Sequence, residues 1–129
     1  MESENWRKYD LEKRLIDFAV SIINIVEMLP DTRVGNHIAG QLIRCGTSPS
    51  SNYGEAQSAE SRNDFIHKIK IILKELRETL VWLKIIHRKA LIPRKQDLDA
   101  VLKECNELIS IFVTSTKTAE KNKYTKKGE

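Results

Sequence analysis

Only three prolines and five glycines punctuate the 129 residues, and cysteine (two) and aromatic residues (6%) are scarce too. So few turn-formers exclude the many reversals of an all-β fold. No apolar run approaches the ~18–20 residues that span a membrane. The opening Met1-Glu2-Ser3-Glu4-Asn5-Trp6 has neither the basic nor the apolar region of a secretory signal, so a cytoplasmic protein is expected. Cys45 and Cys105 belong to no CxxC pair. They read as small buried hydrophobes in a reducing compartment, with a disulfide between them left open.

Motifs of chemistry are equally absent. There is no HExxH, no Walker phosphate loop and no GxGxxG. Of His37, His67 and His87, only Asp64-x-x-His67 approaches the Glu-x-x-His spacing of di-iron bundles, and it has no second copy. No serine or cysteine sits in a local nucleophile signature. The expectation is a non-enzymatic protein without metal or cofactor.

What is present is helical periodicity. Apolar residues make up 40% of the chain, too many for disorder, and the length suits one domain with its own core. Pro30, Pro93 and the polar stretch Gln57-Ser58-Ala59-Glu60-Ser61 divide the chain into helical segments near 10–29, 34–57, 61–90 and 94–118. Segment one, with Asp10 as expected N-cap, repeats Leu11, Leu15, Phe18, Ile22, Ile25 and Leu29 at helical spacing. Segment three opens with Ser61 and Asp64 as a cap and repeats Phe65, Ile69, Ile72, Leu76, Leu80 and Leu83. Segment four places Pro93 in its first turn and carries Leu98, Val101, Leu102, Cys105, Leu108, Ile109 and Phe112. Segment two keeps Ile38, Leu42, Cys45, Tyr53 and Ala56 in register, yet holds Gly40, Gly46, Pro49 and Gly54. An interior proline costs about 3 kcal/mol, so a kink is expected there, with a break as the alternative. The predicted architecture is all-α: an up-down-up-down antiparallel four-helix bundle over 10–116. Residues 1–9 form an extension and 117–129 a basic, frayed tail.

Two surface patterns exceed what a bundle needs. Ile16, Val20 and Ile23 in segment one, and Ile71, Trp82 and Ile85 in segment three, lie off the core stripes and point to a homo-oligomer interface. Lys70, Lys74, Arg77, Lys84 and Arg88 share one face of segment three, with Val81 in the gap. The stripe is roughly 27 Å long and suits a phosphate backbone, RNA or DNA. The net charge of +4 hides this asymmetry. Eight basic and three acidic residues give 61–92 a net +5, and the tail from Lys117 adds +3.

A polar set follows. Gln41, Arg44, Ser48, Asn52 and Glu55 lie on one side of segment two; Asp64, Lys68, Glu75, Glu78 and Thr79 lie beside the core of segment three. A hairpin turning near 57–60 runs these sets past one another, with Arg44 near Glu75 and Asn52 near Asp64 or Lys68. A structural ion-pair network that fixes register is the expectation.

The run Gln41-Leu42-Ile43-Arg44, Ser48, Ser51-Asn52-Tyr53-Gly54-Glu55-Ala56, then Ser61-Arg62-Asn63-Asp64-Phe65-Ile66-His67-Lys68 and Leu73-Lys74-Glu75-Leu76-Arg77-Glu78-Thr79, resembles the four-helix bundle proteins of 23S ribosomal RNA intervening sequences. The resemblance covers about residues 10–115. It implies a cytoplasmic ring, typically a homopentamer, with no established enzymatic activity. The chain is also similar to the accessory variability protein of diversity-generating retroelements, a basic ring that engages a reverse transcriptase and nucleic acid. That similarity implies a nucleic-acid or scaffolding role, with RNA, DNA or a partner protein as ligand. One departure is Ser48-Pro49-Ser50-Ser51-Asn52, where the family has Ser-Ile-x-x-Asn.

Overall fold

The computed structural model describes the backbone of residues 2–128 and the side chains of residues 10–122. Four helices account for it: α1 (Glu2–Met28), α2 (Arg33–Gln57), α3 (Arg62–Lys89) and α4 (Lys95–Gly128). The backbones of α1/α2, α2/α3, α3/α4 and α1/α4 are neighbours, whereas among the described residues the diagonal pairs α1/α3 and α2/α4 have no Cα atoms within 8 Å. Ion pairs show the antiparallel order. On the α2–α3 side, Arg44 meets Glu75 and Lys68 meets Glu55; on the α3–α4 side, Lys70 meets Glu120 and His87 lies by Asp99.

The outer helices outrun the segments expected for them. No proline or glycine occurs between residues 2 and 29 or between 95 and 127, so nothing in the chain stops either helix. Asp10 therefore lies inside α1 and is not its cap. The segment from Lys117, expected to fray, continues α4, and its Glu120 pairs with Lys70 at 2.6 Å. Pro93 lies two residues before α4, not in its first turn.

Real caps sit where short side chains reach orphan amides. Thr32 Oγ1 accepts from the Gly35 N–H (3.0 Å), and Ser61 Oγ accepts from the Asp64 N–H (3.1 Å). α3 ends on Ala90, which holds a left-handed conformation (φ 54°) while Leu91 N–H donates to Ile86 O at 3.1 Å.

The core follows the periodic stripes. Leu15, Phe18, Ile22 and Ile25 of α1 meet Ile38, Leu42, Cys45, Tyr53 and Ala56 of α2, Ile69, Ile72, Leu76, Leu83 and Ile86 of α3, and Leu98, Cys105, Leu108 and Phe112 of α4. Tyr53 packs edge-on against Phe112. Both thiols are free and buried. With no Cα of α2 within 8 Å of one of α4, a Cys45–Cys105 disulfide, which needs about 4.4–6.8 Å, is excluded.

α2 runs unbroken through Pro49, which is buried. Side chains brace the turns around it. Thr47 and Ser50 hydroxyls donate to the Ile43 and Thr47 carbonyls (2.6 and 2.7 Å), and the Ser51 hydroxyl and Asn52 amide both donate to Ser48 O. Gly46 brings α2 against α1: a Cβ there would stand 2.7 Å from Ile22 Cγ2. No helix among the described residues is long and apolar enough to cross a membrane.

Two opposite substitutions test this account by chemical denaturation. Gly46→Ala is expected to lose about 1–3 kcal/mol by driving α1 from α2. Ala90→Gly is expected to gain up to about 1 kcal/mol by relieving the left-handed residue.

Candidate nucleic-acid and partner surfaces

The seam between α2 and α3 is polar from end to end. Arg44 is its centre. Its guanidinium donates to Glu75 at 3.0 Å, to Glu78, and to Gln41 at 3.2 Å. Glu78 also accepts from the Trp82 indole N–H at 3.2 Å, and the His37 ring packs edge-on against Trp82 at 5.9 Å. Toward the hairpin turn, Lys68 donates to Glu55 at 2.6 Å. Thr79, fully buried, turns its hydroxyl to the Glu75 carbonyl at 2.7 Å.

Not every expected member takes part across the seam. Asn52 stays within its own helix, bonded to Ser48 O, and does not reach Asp64 or Lys68. Asp64 stays in the first turn of α3, its N–H donating to the capping Ser61 hydroxyl. The enclosed Ser48 hydroxyl has no hydrogen-bond partner. Two features go beyond what the sequence reading identified. The Glu78–Trp82 bond is an i, i+4 pair, which spacing alone could have found. The staple of Arg14 to Glu104 (2.6 Å) and Glu107 (3.1 Å) joins helices far apart in sequence, where spacing says nothing.

On the outward side of α3, Lys70, Lys74, Arg77, Lys84 and Arg88 are all exposed. Lys70 is compensated by Glu120. Lys74, Arg77, Lys84 and Arg88 have no carboxylate within 4 Å among the described residues. Val81, 55% exposed, interrupts the cations.

The apolar surplus divides differently from expectation. Ile16 (49%), Val20 (51%), Ile23 (41%) and Ile85 (39%) are exposed. Ile71 is half-buried, and Trp82 packs partly against the core with its N–H engaged by Glu78. Trp82 is therefore a seam residue before it is an anchor.

A cavity of about 660 Å³ lies where the α2–α3 turn meets the later turns of α4; its lining includes Arg62, Phe65, Thr114 and Thr118 but no histidine or cysteine. A second, of about 540 Å³, opens between α1 and α4 beside Arg14. Among the described residues, no three of His, Cys, Asp and Glu gather to hold a metal ion. Burial pushes the Cys105 thiol up to about 12 and raises that of Cys45 as well. Both are protonated near neutral pH and withheld from nucleophilic chemistry.

Residues 7–114 match the family described as 23S rRNA-intervening sequence protein. Among solved structures, the chain is similar to a protein of unknown function from the S23 ribosomal protein family of Bacteroides thetaiotaomicron, at 32% identity, 83% coverage of this chain, 98% of that one and a TM-score of 0.75. No curated protein matches. The relative's function is unknown, and no enzyme family is indicated.

A double-mutant cycle on Arg44→Ala and Glu75→Ala should give a coupling of about 0.3–1 kcal/mol, small because the pair is half exposed. Strict additivity would remove the ion pair from the forces that set the hairpin. Cys45 and Cys105 should stay silent to a thiol reagent in the native protein and react only on unfolding.

Proposed function

We propose that this chain, which belongs to the 23S rRNA-intervening sequence protein family, is a non-enzymatic, self-associating bundle that binds nucleic acid through the outward face of α3. The observation that carries the reading is the row of uncompensated cations, Lys74, Arg77, Lys84 and Arg88, on one helix side. Like charges at such spacing oppose the helix by a few tenths of a kcal/mol per pair, so a polyanion that neutralises them gains what the free protein lacks. One row is a modest site. Assembly repeats it by symmetry and multiplies the phosphate contacts, and the family resemblance implies a ring, typically of five copies. The exposed Ile16, Val20, Ile23 and Ile85 supply the apolar surface such an assembly covers. The row has no aromatic residue on which bases could stack, so the contact is with the backbone and is indifferent to sequence. The free, buried thiols suit a reducing cytoplasm. A second reading, a scaffold for a partner protein, rests on Val81 and Ile85 beside the cations. It predicts a partner held at high salt.

Titration with RNA and DNA decides between them. Affinity is expected to fall steeply between about 50 and about 200 mM salt. Arg77→Gln, Lys84→Gln and Arg88→Gln together should lower the slope of log K against log salt by about one for each phosphate no longer engaged. No binding at the lower salt, or unchanged affinity in the triple variant, refutes the nucleic-acid reading.

A further inference from the structure

The outward strip of α1 is apolar in the middle and acidic at both ends. It runs Glu12, Ile16, Val20, Ile23, Glu27, at gaps of 4, 4, 3 and 4. All five residues are exposed. Neither carboxylate has a cation within 4 Å among the described residues, since the nearby Lys13 is held by Asp17 at 2.7 Å. At about 100° per residue these positions cluster on the side of α1 away from Phe18, Ile22 and Ile25.

α3 carries a strip of the opposite character. It runs Lys74, Glu78, Val81, Ile85, Lys89, at gaps of 4, 3, 4 and 4. Lys74, Val81, Ile85 and Lys89 are exposed, and neither lysine has a carboxylate within 4 Å among the described residues. Glu78 is already satisfied by Arg44 and Trp82, so its charge is not free to oppose a neighbour.

The α3 gaps equal the α1 gaps read backwards. We infer that the outward strip of α1 in one copy docks antiparallel on the outward strip of α3 in a second copy. Glu27 then meets Lys74, Ile23 lies over the neutralised Glu78, Val20 meets Val81, Ile16 meets Ile85, and Glu12 meets Lys89. Both strips are roughly 22 Å long, so the terminal charge pairs and the apolar centre align in one register.

The occupant is another copy because the two strips complement each other in length, spacing and charge. α1 and α3 are the diagonal helices, whose backbones do not meet within one chain. The α1 strip cannot pair antiparallel with itself, since Glu12 and Glu27 would face each other, and like charges across a contact are costly. The α3 strip has the same conflict between Lys74 and Lys89. The contact is therefore head-to-tail, the type that closes into rings or runs on as a filament. It uses the edge of α3 at Lys74 and leaves Arg77, Lys84 and Arg88 on the neighbouring side.

The inference rests on the self-association proposed above, and charge reversal separates the two. Sedimentation equilibrium is measured on wild type, on Glu12→Lys with Glu27→Lys, on Lys74→Glu with Lys89→Glu, and on all four together. Circular dichroism and melting temperature should barely change, because all four side chains are exposed. Each double variant should associate about tenfold or more weakly, and the fourfold variant should recover the wild-type mass. An oxidative crosslink gives an independent readout. The chain carrying both Val20→Cys and Val81→Cys should form covalent multimers, and either single variant should not. A wild type that is monomeric at every concentration overturns self-association and this contact together. An assembled wild type whose double variants keep the same mass, or whose fourfold variant fails to reassemble, overturns the contact alone.

Discussion

The surface of this bundle is organised by what Arg44 does to α3. Of the three carboxylates on that helix, Glu75 and Glu78 turn toward α2 and are held by one guanidinium. Asp64 stays at the first turn, where its N–H is capped by Ser61. The acids of α3 are thus confined to the seam and the helix start, and its cations are left outward. Arg44 does not create the basic face by repulsion. It does so by removing the counter-charges that a solvent-exposed helix ordinarily mixes among its lysines. The same arrangement neutralises Glu78, which would otherwise place a bare carboxylate beside Val81 and Ile85.

The interior was legible because helical periodicity and burial report the same thing. Leu15, Phe18, Ile22 and Ile25 recur at steps of three and four, and each is enclosed. The α2–α3 pairing was legible too, since a hairpin with a short turn fixes which residues pass each other. Arg44 opposite Glu75 follows from that register alone. The ends of α2 and α3 fell within a residue of expectation, Ser61 cap included, but the far ends of α1 and α4 were not legible. Asp10 is a good cap residue by type, but a cap also requires the preceding backbone to leave the helix, and nothing before residue 10 makes it do so. The lysine-rich stretch after Lys117 reads as a tail because it lacks large apolar residues. Lysine, glutamate and alanine are also good helix formers, and one ion pair from Lys70 to Glu120 ties the stretch to α3.

The second helix shows why composition misleads when read residue by residue. Gly46 and Pro49 each weaken an isolated helix. Here Gly46 leaves room for Ile22 where a Cβ would collide with it, and Pro49 is buried in a turn whose neighbouring carbonyls collect bonds from Thr47, Ser50, Ser51 and Asn52. Tertiary packing outweighs propensity, which is the usual source of helix stability in proteins. Pro49 therefore leaves the helix continuous.

The outward faces obey a different logic from the core. A bundle needs one apolar stripe per helix, and α1 and α3 carry a second. Solubility argues against exposed isoleucine and valine in rows, and charge balance argues against exposed lysine and arginine in rows. Each row is costly for a monomer, and both occur on a chain of this length. Their costs have a common resolution. Apolar rows on the outward sides of α1 and α3 cannot be buried by the fold itself, because both face away from the shared core. Only another molecule can cover them. In the contact proposed above, Arg77, Lys84 and Arg88 stay outside the covered strip and recur once per copy, so one polyanion can span several rows. An assembly of this kind would form more tightly with a polyanion bound, and the polyanion would bind more tightly to the assembly, because the two equilibria share one free energy.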